Sequence, residues 1–242
     1  MSGTIRATGA GETGRREQAK AERRQRIIGA ARDLIRETGD TNLSMRTLAE
    51  RAEVSLSTPY NLFGSKRAVV LAVLEDERDF AERFRRLEVK NSVERLFAAH
   101  HLAYSYYTGD PALYRALWRA LLNTNGDDDL GLATPERLAQ TRAIWLNLVQ
   151  AAADDGYLRR DIAMDHVLQT MAYITGGTLL SWAMGSIDTK RLSPTVALGY
   201  ALCLKGAAAP KGIGVLDEFI AKFQSELDAI GPGLSDRAPE TL

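Results

Sequence analysis

The stretch Leu43 to Lys66, LSMRTLAERAEVSLSTPYNLFGSK, constrains the fold more than any other part of the chain. Its apolar spacing predicts two short helices, about Met45 to Ala52 and Ser57 to Phe63, joined by a tight turn. Ser44 stands where the first needs an N-cap, and Ser65 where a following helix needs one. Leu48, Val54 and Leu62 are placed to share a small core, and Ala49 sits where a larger side chain would push the helices apart. Glu53 falls at a turn position that usually needs a left-handed backbone, which costs a non-glycine residue ~1–2 kcal/mol. Ser55 is expected to cap the second helix. Pro59 is compatible with a helix only if it lies in the first turn, where N–H groups have no intrahelical partner. This is the layout of a helix-turn-helix, whose second helix is presented to the DNA major groove.

The surroundings are helical throughout. Residues 1–18 carry almost no apolar side chains and are expected to be a disordered tail. A basic amphipathic helix is expected over about 19–37, closed by Gly39, and a helix over 65–88 bridges the first domain to the rest. Further helices are expected near 92–108, 111–123, 134–155, 164–185, 193–208 and 215–229, separated by Gly, Pro, Asn and Asp. No alternating strand and no internal repeat is evident. The fold class is all-α: an N-terminal three-helix helix-turn-helix domain over 19–66 and a larger helical ligand-binding and dimerisation domain over 67–230, with 231–242 a flexible C-terminus.

Charge adds a direction. The chain is neutral overall, with 31 Lys/Arg against 31 Asp/Glu. Residues 1–70 hold 13 basic against 8 acidic side chains, so a basic end is attached to an acidic body, as suits docking of one end on a polyanion. No apolar run approaches the ~18 residues needed to span a bilayer, so no membrane partner is expected. The N-terminus has no apolar secretory core, and the single cysteine, Cys203, makes an internal disulfide impossible; a cytoplasmic location is expected.

With Thr47-Leu48-Ala49, Val54-Ser55, Thr58, Tyr60, Phe63 and Ser65-Lys66 in this order after a basic helix, the chain resembles the TetR (tetracycline-repressor-like) family of transcriptional regulators over roughly residues 20–75. Glu53, where glycine is usual, and Pro59, where leucine is common, depart from the pattern. The resemblance implies that Thr47, Tyr60 and Lys66 hold DNA phosphates, a role that suits hydroxyls, lysine and helix N-termini. Ser57, Thr58 and Asn61 are the side chains of the second helix able to reach base edges. Asn61 suits adenine, and the Thr58 methyl suits a thymine methyl. Arg46 is expected to add a guanine or phosphate contact. The basic residues Arg15, Arg16, Lys20, Arg23 and Arg24 are either further phosphate contacts or a solubilising tail.

Other motifs carry no chemistry. Gly9 to Gly14 matches G-x-G-x-x-G but has no preceding strand to position a phosphate loop. His100 and His101 are adjacent and point about 100° apart on a helix, so they cannot chelate one metal as an i, i+4 pair would. No nucleophile–base set is evident. Neither an enzyme, a cofactor nor a metal site is expected.

Two tasks fall to the body. Specific operators usually need two helix-turn-helix units on a palindrome, so a homodimer on double-stranded DNA is expected. The resemblance points to the last two long helices as the dimer face, with Gly176, Gly177 and Ser181 on one and Ala197, Ala201 and Leu204 on the other; the alternative is that these faces pack inside one subunit. A small-molecule effector, mostly apolar or aromatic, is expected among Tyr104, Tyr107, Trp118, Asn123, Trp145, Asn147, Met171 and Thr175. The whole reads as a ligand-responsive DNA-binding regulator, most simply a repressor. The competing readings are a regulator tuned by a protein partner and a helical enzyme.

Overall fold

The computed structural model describes residues 10–75, 80–122 and 135–231. The chain divides into two compact units, Met1–Glu77 and Arg78–Leu242. Eleven α-helices and one isolated bridge, between Leu158 and Ala208, make up the regular structure of the described residues.

The first unit contains α1 (Ala10–Thr38), α2 (Met45–Arg51), α3 (Ser57–Phe63) and α4 (Lys66–Glu75). Its core is Ile27, Ala31 and Ile35 of α1, Leu48 and Ala49 of α2, and Val69, Val70 and Val73 of α4. The three-to-four-residue spacing that predicts each helix is the spacing that buries these side chains on one face. α1 begins at Ala10, so residues 10–18, expected in a tail, are helical. Their polarity had pointed to disorder, but Glu, Arg, Gln, Ala and Lys are strong helix formers, and Gln18 donates to Glu22 one turn on. The G-x-G-x-x-G residues from Ala10 onward are helix, not a phosphate loop.

The second unit holds α5 (Phe80–Arg85), α6 (Ser92–Gly109), α7 (Pro111–Leu122), α8 (Pro135–Asp154), α9 (Met164–Ala183), α10 (Thr189–Gly206) and α11 (Pro210–Ile230). The expected 65–88 helix passes through residues 76–79, which lie outside the described residues; helix is present on either side. α10 starts four residues before the expected position. Asp188 caps it by accepting from the Lys190 N–H at 2.8 Å, and Pro194 is carried inside the helix, buried. Two glycines set the packing distances here. A Cβ on Gly199 would lie 2.7 Å from Ile174, which is how closely α10 crosses α9. A Cβ on Gly212 would lie 2.1 Å from the Tyr157 carbonyl oxygen, where the start of α11 rests on the loop after α8. α11 packs on its own chain: Leu216 and Phe223 are buried, Phe219 stacks on Phe97 of α6 at 4.2 Å between centroids, and Phe223 meets Phe97 tilted at 5.3 Å.

Candidate nucleic-acid interface and effector site

The turn between α2 and α3 runs through Glu53 at φ +53°, the only non-glycine residue with positive φ among the described residues. Val54 follows with its N–H on the Ala49 carbonyl at 3.0 Å, closing the turn under the helix crossing. Pro59 is buried in the first turn of α3, where its missing N–H costs no helical bond. Ser44 caps α2 by accepting from the Thr47 N–H at 3.3 Å, and Ser65 caps α4 by accepting from the Ala68 N–H at 3.1 Å.

Ser55 departs from expectation. The N-cap of α3 is Leu56, with no side-chain cap. The Ser55 hydroxyl lies 3.1 Å from that of Ser57 and 2.7 Å from that of Thr58. Another hydroxyl, two or three residues away, competes for a group that would otherwise take a backbone N–H.

Arg46, Thr47, Ser57, Tyr60 and Asn61 are exposed, and Thr58 and Lys66 are half-buried. Two of the cations are engaged within the unit. Arg46 donates through Nε to Glu50 at 3.1 Å, an exposed pair one turn apart. Lys66 Nζ donates to Asn42 Oδ1 at 2.7 Å. Arg24 lies with its guanidinium 4.3 Å over the Phe63 ring, tying α1 to the end of α3. The Asn42 and Arg24 contacts escape sequence reasoning because each joins segments distant in the chain, the loop before α2 to α4 and α1 to α3. The basic residues Arg15, Arg16, Lys20 and Arg23 are exposed on α1 rather than in a flexible arm.

In the second unit, the residues expected to hold an effector separate into groups. Tyr104 and Met171 are buried, and Tyr107, Trp118, Trp145 and Thr175 are half-buried. Asn147 is exposed on α8 and is not part of the cluster, a correction. Its polarity was compatible with either place, and neighbouring Leu148 and Val149 take the buried face instead. Asn123 lies outside the described residues. The aromatic side chains form a continuous train. Tyr107 meets Trp182 at 6.2 Å, Trp118 at 6.3 Å and Tyr104 at 5.3 Å. Tyr104 meets His100 at 4.2 Å, His100 meets Tyr200 at 5.4 Å, and Tyr200 meets Trp145 at 6.0 Å. His100 and Tyr200 were not among the expected residues; an α10 tyrosine has no sequence signal placing it against α6.

Burial controls the ionisation of this train. Desolvation lowers the His100 pKa to about 4, against a smaller raising effect of its bond to the Ser193 carbonyl at 3.0 Å. Because a carbonyl only accepts, Nε2 carries the ring proton, and Nδ1 is a buried acceptor with no partner. Burial also pushes Tyr104 well above the ordinary phenol range and Tyr200 up to about 12, so both remain O–H donors.

The expected dimer face needs a larger correction. Ala197, Ala201 and Leu204 are buried within the single chain, where α10 packs on α9 and α11. Apolar periodicity marks a buried face without saying which chain buries it. Gly176 and Gly177 are exposed and Ser181 is half-buried, on a face of α9 that also exposes Tyr173, Leu180 and Met184. On α10 the exposed apolar side chain is Leu202.

Comparison with known proteins agrees with this architecture. Residues 27–73 match the family model of bacterial regulatory proteins, tetR family. A stretch of 122 residues is 31% identical to the HTH-type transcriptional repressor KstR of Rhodococcus jostii (strain RHA1), covering 50% of this chain and 58% of that protein's length. Among solved structures, FadR of Thermus thermophilus, a TetR-family repressor in complex with lauroyl-CoA, superposes with a TM-score of 0.57 at 23% identity over 77% of this chain and 97% of that one. A TetR transcription regulator from Haloarcula marismortui gives 0.62 at 18% identity over 78% and 99%. At these identities the structural likeness speaks for the fold.

Proposed function

From the match of residues 27–73 to the family model of bacterial regulatory proteins, tetR family, we propose a homodimeric transcriptional repressor released from a palindromic operator by a small molecule. The observation that carries the DNA reading is the α2–α3 unit itself. A strained turn at Glu53 and a buried Pro59 fix α3 while Ser57, Tyr60 and Asn61 remain exposed on it. Residues that only packed a bundle would not need that exposed polar set. Thr47, Tyr60 and Lys66 hold phosphates, Arg46 adds a phosphate or guanine contact, and Ser57, Thr58 and Asn61 face base edges.

The KstR likeness supports repression, and a fold neighbour solved in complex with lauroyl-CoA supports a small-molecule ligand. The aromatic train from Trp182 to Trp145 suits a mostly apolar or aromatic effector. The exposed face of α9, with Tyr173, Gly176, Gly177, Leu180 and Met184, is the dimer surface, joined by Leu202 of α10. Linkage then requires DNA to weaken effector binding by the factor with which effector weakens DNA binding.

A gel shift on the DNA upstream of the chain's own gene tests the central claim. Specific retardation that falls steeply with salt is expected. Retardation no stronger than on unrelated DNA of the same length and composition counts against it.

A further inference from the structure

The inner row of α1 changes character where the core of the first unit ends. Ile27, Ala31 and Leu34 follow one another at helical spacing and are buried. Carried back toward the N-terminus, the same row passes through Arg23, Lys20 and Arg16, all exposed. Arg24, beside the row, lies with its guanidinium 4.3 Å over the Phe63 ring. That contact fixes where the row leaves the protein, at the C-terminal end of α3 and close in sequence to Lys66. From Arg23 back to Gly14 the helix runs on for about 15 Å without a buried side chain.

An amphipathic helix turns its inner row toward whatever it packs on. This row is apolar over the core and cationic beyond it, so the surface it suits beyond the core is anionic. Residues 14–26 hold six Lys/Arg against two Glu and no large apolar side chain, which leaves nothing to hold a lipid surface. Solubility alone would not select this sign, since acidic side chains serve it better. Lys20 and Arg23 make no hydrogen bond or ion pair among the described residues, so neither has an acidic partner to give up. Arg16, Lys20 and Arg23 stand about 5–6 Å apart along the axis, within reach of successive phosphates of one strand.

Resting on the DNA-binding role proposed above, we infer that this cationic row is a backbone clamp: Arg16, Lys20 and Arg23 hold phosphates of the operator strand that passes the C-terminal end of α3, outside the bases read by Ser57, Thr58 and Asn61. The clamp adds affinity for any duplex and lengthens the site without adding sequence preference.

Two readouts on the full-length protein and the duplex upstream of its gene test this. In gel shifts across a salt series, Lys20→Gln and Arg23→Gln should each lower the slope of log affinity against log salt by about one per subunit, and the double variant by about two, on operator and random DNA alike. Lys20→Arg, which keeps the charge, should retain the parent slope. Arg26→Gln removes another exposed cation, a third of a turn around the helix from Lys20, and should change the slope by less than half as much. In ethylation interference, phosphates outside the base-contacted segment of each half-site should block the parent when modified and no longer block the double variant. This pattern is read on bound molecules alone, so it decides even where a variant is less stable. Unchanged slopes in the double variant, Arg26→Gln as damaging as Lys20→Gln, or no outer phosphate losing its interference overturns the clamp while the DNA-binding reading stands. A parent protein that shifts this duplex no better than unrelated DNA overturns both.

Discussion

The Ser55 hydroxyl lies 2.7 Å from the Thr58 hydroxyl, so the threonine side chain is tied at its polar end before any DNA arrives. The methyl group is then the part of Thr58 left to meet a base. Replacing a contacted thymine by uracil in the operator should cost ~0.8 kcal/mol, about fourfold in affinity, for one methyl taken out of contact. Ser55→Ala should shrink that difference, because Thr58 gains rotamer freedom and a free hydroxyl. Competition titrations on thymine and uracil duplexes measure both. An unchanged thymine preference in Ser55→Ala would show that this hydroxyl pair has no part in readout.

Asn61 and Lys66 should fail in different ways. Asn61→Ala is expected to lose ~1–3 kcal/mol on the operator and little on random DNA, with the salt dependence preserved. Lys66→Ala should weaken both DNAs alike and reduce the slope of log affinity against log salt by about one. Reversal of these two patterns would mean that the register of α3 has been misassigned.

Tyr104→Phe should stabilise the folded protein. Removing a buried, unpartnered hydroxyl relieves a desolvation cost of ~1–3 kcal/mol. Urea unfolding without effector is the measurement. A loss of stability would imply that the hydroxyl is satisfied in the free protein.

His100 gives the second unit a pH dependence with a definite sign. Its folded pKa of about 4 is below the value of 6.5 for an unperturbed histidine, so the unfolded chain binds the proton first as pH falls. Stability is whole above pH 6.5 and declines between there and pH 4, by roughly 3 kcal/mol if nothing else titrates. His100→Phe should flatten this interval. Denaturant midpoints at pH 7, 5.5 and 4.5 for both proteins decide it.

Gly212→Ala should be more damaging than Gly199→Ala. The new methyl at 212 would meet the Tyr157 backbone oxygen at 2.1 Å, which cannot move without the loop, whereas at 199 it would meet an isoleucine methyl at 2.7 Å. A loss of ~1–3 kcal/mol or more at 212, and less at 199, is expected in thermal unfolding. Equal losses would place the strain elsewhere.

These contrasts also show what the sequence makes legible. Ser44, Glu53, Pro59 and Ser65 act within their own turn, so their types and positions specify the local backbone, and the helix-turn-helix follows from them. Ala197, Ala201 and Leu204 announce a buried face, but whether α11 or a second subunit buries it depends on contacts between distant segments. Gly199 and Gly212 escape notice for the same reason: the atom each makes room for belongs to a residue 25 or 55 positions away. The Tyr104 cluster was half legible. Its aromatic members showed in the composition of α6 and α9, but the partners His100 and Tyr200 needed the packing of α10. The start of α1 is not legible in hydrophobicity, because a polar segment is evidence against a core, not against a helix.

The 2.7 Å bond from Lys66 to Asn42 bears on how the proposed DNA complex would come apart. On the phosphate role proposed for Lys66, docking would exchange the Asn42 amide oxygen for a phosphate oxygen, and dissociation would return the lysine to a partner already waiting. At that contact, release leaves no donor stranded. The bound state would then differ there by charge more than by contact geometry, and ionic strength would set how long it lasts.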